Sequence, residues 1–129
     1  MCLFRDKKLT EQKLNYFKQN KIKEIIVWKI LRQHRGRERY DSSHYCMEYK
    51  IGKNIPIKMF KKLIWSDGSV GRGVLHAFTS RIETRKYQRL WALERVIRCR
   101  VKVKDIIAYG DNNDIAVKAL YIDKFSEKK

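Results

Sequence analysis

Residues 96–104 read Val-Ile-Arg-Cys-Arg-Val-Lys-Val-Lys, an apolar and basic alternation with period two. In an extended strand such a segment puts Ile97, Cys99, Val101 and Val103 on one face and Arg98, Arg100 and Lys102 on the other. Cations spaced by two residues stand about 6.6–6.8 Å apart along a strand. That is close to the spacing of successive phosphates in a nucleic-acid strand, so the chemistry on offer is phosphate binding. A second set of arginines precedes it: Arg81, Arg85 and Arg89 recur every four residues and share a helix face, followed by Arg95. A third lies in His34-Arg35-Gly36-Arg37-Glu38-Arg39-Tyr40. There Arg35, Arg37 and Arg39 offer guanidinium forks to phosphate or carboxylate, and Tyr40 offers a ring to an unpaired base. Tyr45, Tyr49 and Tyr87 also sit among polar residues and are further stacking candidates.

Catalytic constellations are harder to find. A hydrolase needs a nucleophile with a base, or carboxylates that converge on a metal. Asp105, Asp111 and Asp114 cluster, but Asp111-Asn112-Asn113 is turn chemistry and lacks the distal Glu of a calcium loop. His76 stands in an apolar run, as core histidines do. Gly71-Arg72-Gly73 lacks the lysine and helix start of a phosphate loop. Cys2, Cys46 and Cys99 are odd in number and widely spaced, which argues against a zinc site or a disulfide framework and for a reducing compartment. The sequence therefore predicts no catalytic residue, no metal and no cofactor. The enzymatic alternative is a small ribonuclease using His34 or His44 near arginine, or a transferase built round His76.

The elements that must position these residues follow from periodicity. Residues 8–20 predict a short N-terminal helix with Leu9, Leu14, Tyr16 and Phe17 on one side and Asn20 as its stop. Residues 22–32, dense in Ile, Val and Trp, predict a strand, although Ile22, Ile25, Ile26 and Ile30 also suit a helix. Residues 33–43 predict a loop or hairpin tip, with 44–51 as the returning strand and Gly52–Asn54 as a turn. Residues 57–65 predict an amphipathic strand or short helix, and 66–69 a turn. Ser80-Arg81-Ile82-Glu83 has the form of a capping box and opens a helix over 81–94, with Ile82, Leu90, Trp91 and Leu93 inward. A strand over 96–104, a turn over 110–113 and a last strand over 115–122 complete the chain. The reading is one α+β domain over residues 1–129: a mainly antiparallel sheet with a helix packed on one face and a short N-terminal helix.

Composition narrows the partners. The 129 residues hold 31 Lys and Arg against 14 Asp and Glu, a formal net charge of +17. Solubility alone asks for a magnitude of roughly 2–8. The excess is +8 over residues 1–40, +3 over 41–80 and +6 over 81–129. Charge of this size points to a polyanion, either nucleic acid, an anionic membrane or an acidic protein surface. No stretch approaches the ~20 apolar residues of a membrane span, so a cytoplasmic setting without a membrane partner is expected.

Residues 73–122 carry a further signal. Gly73-Val-Leu-His-Ala-Phe78, a capped helix, a strand running to Tyr109-Gly110-Asp111, and a closing strand to Ile122 resemble small accessory domains of phages and prophages that read G-x-x-H-x-F and Y-G-D. The resemblance implies an α+β fold and a mobile-element setting in a bacterial host cell, with no catalytic residue to carry over. A short, basic chain in that setting is expected to act as an anti-CRISPR protein that binds an RNA-guided nuclease, of type VI-B, or its guide RNA. The alternative is a general phage RNA- or DNA-binding accessory protein.

Overall fold

The computed structural model describes residues 3–33, 40–41, 48–56, 69–70, 74–88 and 94–125. Within them the chain is α+β, and every strand pairing is antiparallel. At its centre β2 (Glu24–Gln33) and β8 (Glu94–Lys102) pair over nine consecutive positions, from Glu24 opposite Lys102 to Arg32 opposite Glu94. β11 (Leu120–Ile122) pairs with the other edge of β8, and β5 (Gly52–Asn54) pairs with β11. On the far edge of β2, β7 (Leu75–Phe78) meets it at Trp28 and β3 (Tyr40–Asp41) at Arg32 and Gln33. β10 (Asp114–Val117) and then β9 (Ile106–Tyr109) continue outward from β7, and β4 (Glu48–Tyr49) pairs with β3. A separate two-stranded ribbon joins β1 (Leu3–Phe4) to β6 (Ser69–Val70).

This order forces the sheet to curl. β10 and β11 are neighbours in sequence, yet β8, β2 and β7 lie between them in the sheet. A flat sheet would hold them about 19 Å apart at ~4.8 Å per strand. The short link from Val117 to Leu120 spans at most about 11 Å. β8 and β9, joined through the 3₁₀ turn Val103–Asp105, raise the same conflict and take the same solution. The sheet therefore folds over on itself, and these two links are its corners. Its concave side holds the core: Val27, Leu31, Leu75, Ala77, Ile97, Cys99, Val101, Ile115, Val117, Leu120 and Ile122.

Helix α1 (Lys7–Gln19) closes that concave side, with Phe17 buried and Leu9 and Leu14 packed against the core. Asp6 caps its start, its Oδ1 accepting from Leu9 N at 2.9 Å, and Asn20 ends it. Tyr16 departs from the expected inward set and is exposed, because the stripe through Leu9, Leu14 and Phe17 already fills the contact. Helix α2 (Arg81–Tyr87) lies on the convex side, where Tyr87 stacks on Phe78 with centroids 5.3 Å apart. Ser80 Oγ accepts from Glu83 N as the capping box predicts, but Glu83 pairs forward with Lys86. The helix stops at Tyr87 instead of 94, since Gln88 is extended and its side chain donates to the Glu94 carbonyl. Ile82, expected inward, is 73% exposed, and Thr84 is the buried residue of this helix.

Other boundaries also shift. Strand β8 begins two residues early and ends at Lys102, so Val103 belongs to the 3₁₀ turn. Gly52–Asn54, expected as a turn, is an edge strand entered through Gly52 at φ +100°. The single strand expected over 115–122 is two strands on opposite sides of the sheet. β9 is an additional strand that precedes both in the chain and forms the sheet edge beyond β10. The expectations for residues 34–39, 42–47, 57–68, 71–73 and 89–93 lie outside the described residues.

Candidate anionic-partner interface

The long β2–β8 ladder decides which residues share the convex side. Directly paired residues point the same way. Arg98, Arg100 and Lys102 thus stand with Trp28, Ile26 and Glu24, opposite a concave side that buries Ile97, Cys99 and Val101. Strand β11 adds Tyr121 beside Arg100, and β5 adds Lys53 beside Tyr121. Phe78 pairs with Trp28 and stacks on Tyr87, so α2 is on this side too, with Arg85 exposed on it.

The three cations of β8 are not equivalent. Arg98 is exposed, and neither it nor Lys102 makes an ion pair with another described residue. Arg100 is clamped. Its Nε and Nη2 donate to Asp123 at 2.9 and 2.8 Å, and its Nη1 reaches Glu24 at 3.2 Å. The hydrogen bond to Asp123 raises the guanidinium pKa further and lowers that of Asp123. Glu24 sits directly across from Lys102 but pairs diagonally with Arg100. Lys102 Nζ rests over the Tyr121 ring instead, 5.1 Å from its centroid, and Arg100 Cζ lies 5.6 Å from the same ring. The side is therefore a mixed one: a neutralised arginine at the centre, open cations above and below, and an aromatic ring beneath.

Where β8 ends, a groove of about 550 Å³ opens, lined by Ile22, Lys23, Glu24, Lys102, Val103 and Lys104. It forms because α1 ends at Asn20, Lys21 turns in the left-handed region at φ 55°, and Val103 N donates to the Lys23 carbonyl at 2.9 Å. Periodicity cannot find this groove, since it joins residues some eighty positions apart.

No protein-family model, curated protein or solved structure matches the chain. The phage-domain resemblance thus rests on its own residues. Within it, His76 and Phe78 point to the convex side from β7, and Tyr109 is buried at the end of β9.

The remaining predicted residues fall as follows. Tyr40 is 8% exposed and stacks on Phe125 with centroids 4.1 Å apart, which corrects its reading as an open platform for a base. Tyr49 is buried as well, while Tyr87 stays exposed on one face. Arg89 lies beyond the end of α2 and outside the described residues, so the helix carries Arg81 and Arg85 alone. Arg35, Arg37 and Arg39, with His34, His44, Tyr45, Cys2 and Cys46, also lie outside the described residues. Among the described residues no three His, Cys, Asp or Glu side chains converge, and no helix is long and apolar enough to cross a membrane.

Sequence reasoning missed Lys29. It projects to the concave side between Val27 and Leu31, and its ammonium donates to the His76 carbonyl where β7 has parted from β2. The Tyr49 ring lies 5.3 Å from Nζ. Desolvation lowers the Lys29 pKa to about 8, partly offset by Cys99, and burial pushes the Cys99 thiol up to about 12. Tyr49 is raised for the same reason. An apolar run interrupted by a single lysine is the signal that marks it.

Proposed function

We propose that this protein is a non-enzymatic, basic binding protein that engages the RNA of an RNA-guided nuclease complex through the convex side of its sheet, and so inhibits the nuclease. One observation carries the reading. Arg98 and Lys102 project from the same side of β8 without an ion-pair partner among the described residues, on either side of an arginine held over Tyr121. Cations about 13 Å apart, with an aromatic ring between them, fit a charged strand that carries bases. A net charge of +17 supplies the long-range attraction. The resemblance of residues 73–122 to phage accessory domains supplies the setting, host-defence evasion. Inhibition of this kind needs a charged surface that occupies the RNA channel and no active site.

The test is capture of the tagged full chain from cells expressing a candidate RNA-guided RNA nuclease, followed by binding of purified chain to guide RNA at two salt concentrations. Recovery of the nuclease with its RNA, weakened by salt, is the expected result. Tight binding to bare nucleic acid without any effector would make the protein a general nucleic-acid-binding accessory. Recovery of neither nuclease nor RNA would overturn the proposal, and turnover of labelled RNA by purified protein would replace it with a ribonuclease.

A further inference from the structure

We infer that the groove at the end of β8 takes one unpaired nucleotide, so that the nucleic acid bound by this protein is single-stranded at that point. The inference rests on the proposed function and specifies its ligand. The groove is lined by two apolar side chains packed against the core, Ile22 and Val103, and by three lysines, Lys23, Lys102 and Lys104. Among the described lining residues the one carboxylate, Glu24, is paired with Arg100. The three lysines make no ion pair among the described residues, and Lys23 and Lys104 are exposed. Its volume of about 550 Å³ is that of a small-ligand site. An apolar surface beside cations matches a flat base with a phosphate attached. It does not match a duplex, which shows phosphates outward and keeps its base faces stacked within.

A second feature extends the track. Lys102 belongs both to the groove and to the ring of Tyr121, which is half-buried on the same side. A strand with one base in the groove therefore has Lys102 at the next phosphate, beside a Tyr121 ring that Lys102 and Arg100 already cover. An apolar surface for a base beside cations for its phosphates selects single strands with little sequence preference.

The experiment compares the full chain binding a labelled single-stranded RNA, the DNA of the same sequence, the RNA annealed to its complement, and inorganic polyphosphate. Methyl resonances of Ile22 and Val103 are followed by NMR in each titration. Expected are tighter binding of the single strands than of the duplex, and methyl shifts with oligonucleotide that polyphosphate does not produce. Lys23→Gln with Lys104→Gln should weaken single-strand binding about tenfold. The exposed pair Lys7→Gln with Lys8→Gln should change it far less. RNA against DNA tells which sugar is preferred. Equal affinity for duplex and single strand, unmoved methyls, or equal losses from the two lysine pairs would overturn the inference while leaving the proposed function standing. Binding to no nucleic acid, free or within a nuclease complex, would remove both.

Discussion

Lys29 and Lys102 stand on opposite sides of one strand pair, and the contrast between them separates structure from binding. Lys29 enters the concave core, gives its proton donor to one backbone carbonyl and lies near an aromatic ring and a thiol. Lys102 stays on the convex side over Tyr121, its cross-strand glutamate taken by Arg100. Along the chain Lys29 interrupts an apolar run, whereas Lys102 belongs to the basic alternation with Arg98, Arg100 and Lys104. The first holds the sheet together where two strands diverge, and its charge costs stability. The second keeps a charge that no described acid neutralises. A net charge of +17 is thus not a uniform coat, because what each cation faces decides its use.

The largest break in this comparison comes from the core that encloses Lys29. Leu31, two residues along β2, is fully buried, and Leu31→Ala should lose about 2–5 kcal/mol. Chemical denaturation would show it, and an effect below ~1 kcal/mol would mean the concave side is not the core.

Lys29 itself predicts a pH dependence. Its pKa is about 8 in the fold against 10.5 unfolded, so between those values the unfolded chain binds more protons and stability rises with pH. Cys99 acts in the opposite sense above 9.0, since its folded pKa of about 12 leaves only the unfolded thiol ionised. Stability should therefore rise from pH 8 to pH 9, by roughly 1 kcal/mol, and then level off or fall. Lys29→Met should remove the rise. Denaturation at closely spaced pH values measures it, and an unchanged profile in the variant would place the titration elsewhere.

Arg100 tests the convex side. Arg100→Glu puts a third carboxylate beside Asp123 and Glu24, so it should destabilise the fold by about 0.5–1 kcal/mol. Arg100→Gln should do less. A thermal melt distinguishes them, and equal melting temperatures would show that the clamp contributes nothing.

The smallest effect on stability is expected where the effect on binding is greatest. Arg98→Glu with Lys102→Glu should alter stability by no more than about 0.5 kcal/mol per site. The salt dependence of RNA binding should lose roughly 0.7 units of slope for each contact removed from a single strand. Measured on one preparation, a folded double variant that binds with the wild-type slope would discard this side of the sheet as the interface.

Much of the fold is legible in the chain. The alternation over 96–102 determines the two faces of β8, because L-residues in an extended strand point alternately up and down whatever surrounds them. The stripe of Leu9, Leu14 and Phe17 determines α1, and Ser80 with Glu83 determines where α2 starts, since caps satisfy amides three residues away. The α+β class and the antiparallel pairing follow from these local patterns. What local pattern cannot supply is the partner. Arg100 meets Asp123 and Glu24 across separations of 23 and 76 residues, and only the register of three strands brings them together. The burial of Lys29, the stacking of Tyr40 on Phe125 and the groove between Ile22 and Val103 have the same origin. Curling of the sheet is the clearest case, for it is imposed by two short links between strands that the sheet order sets far apart. Periodicity is a property of the backbone and is written in neighbouring residues. Neutralisation, burial and concavity are properties of strands that meet, and tertiary structure alone decided them.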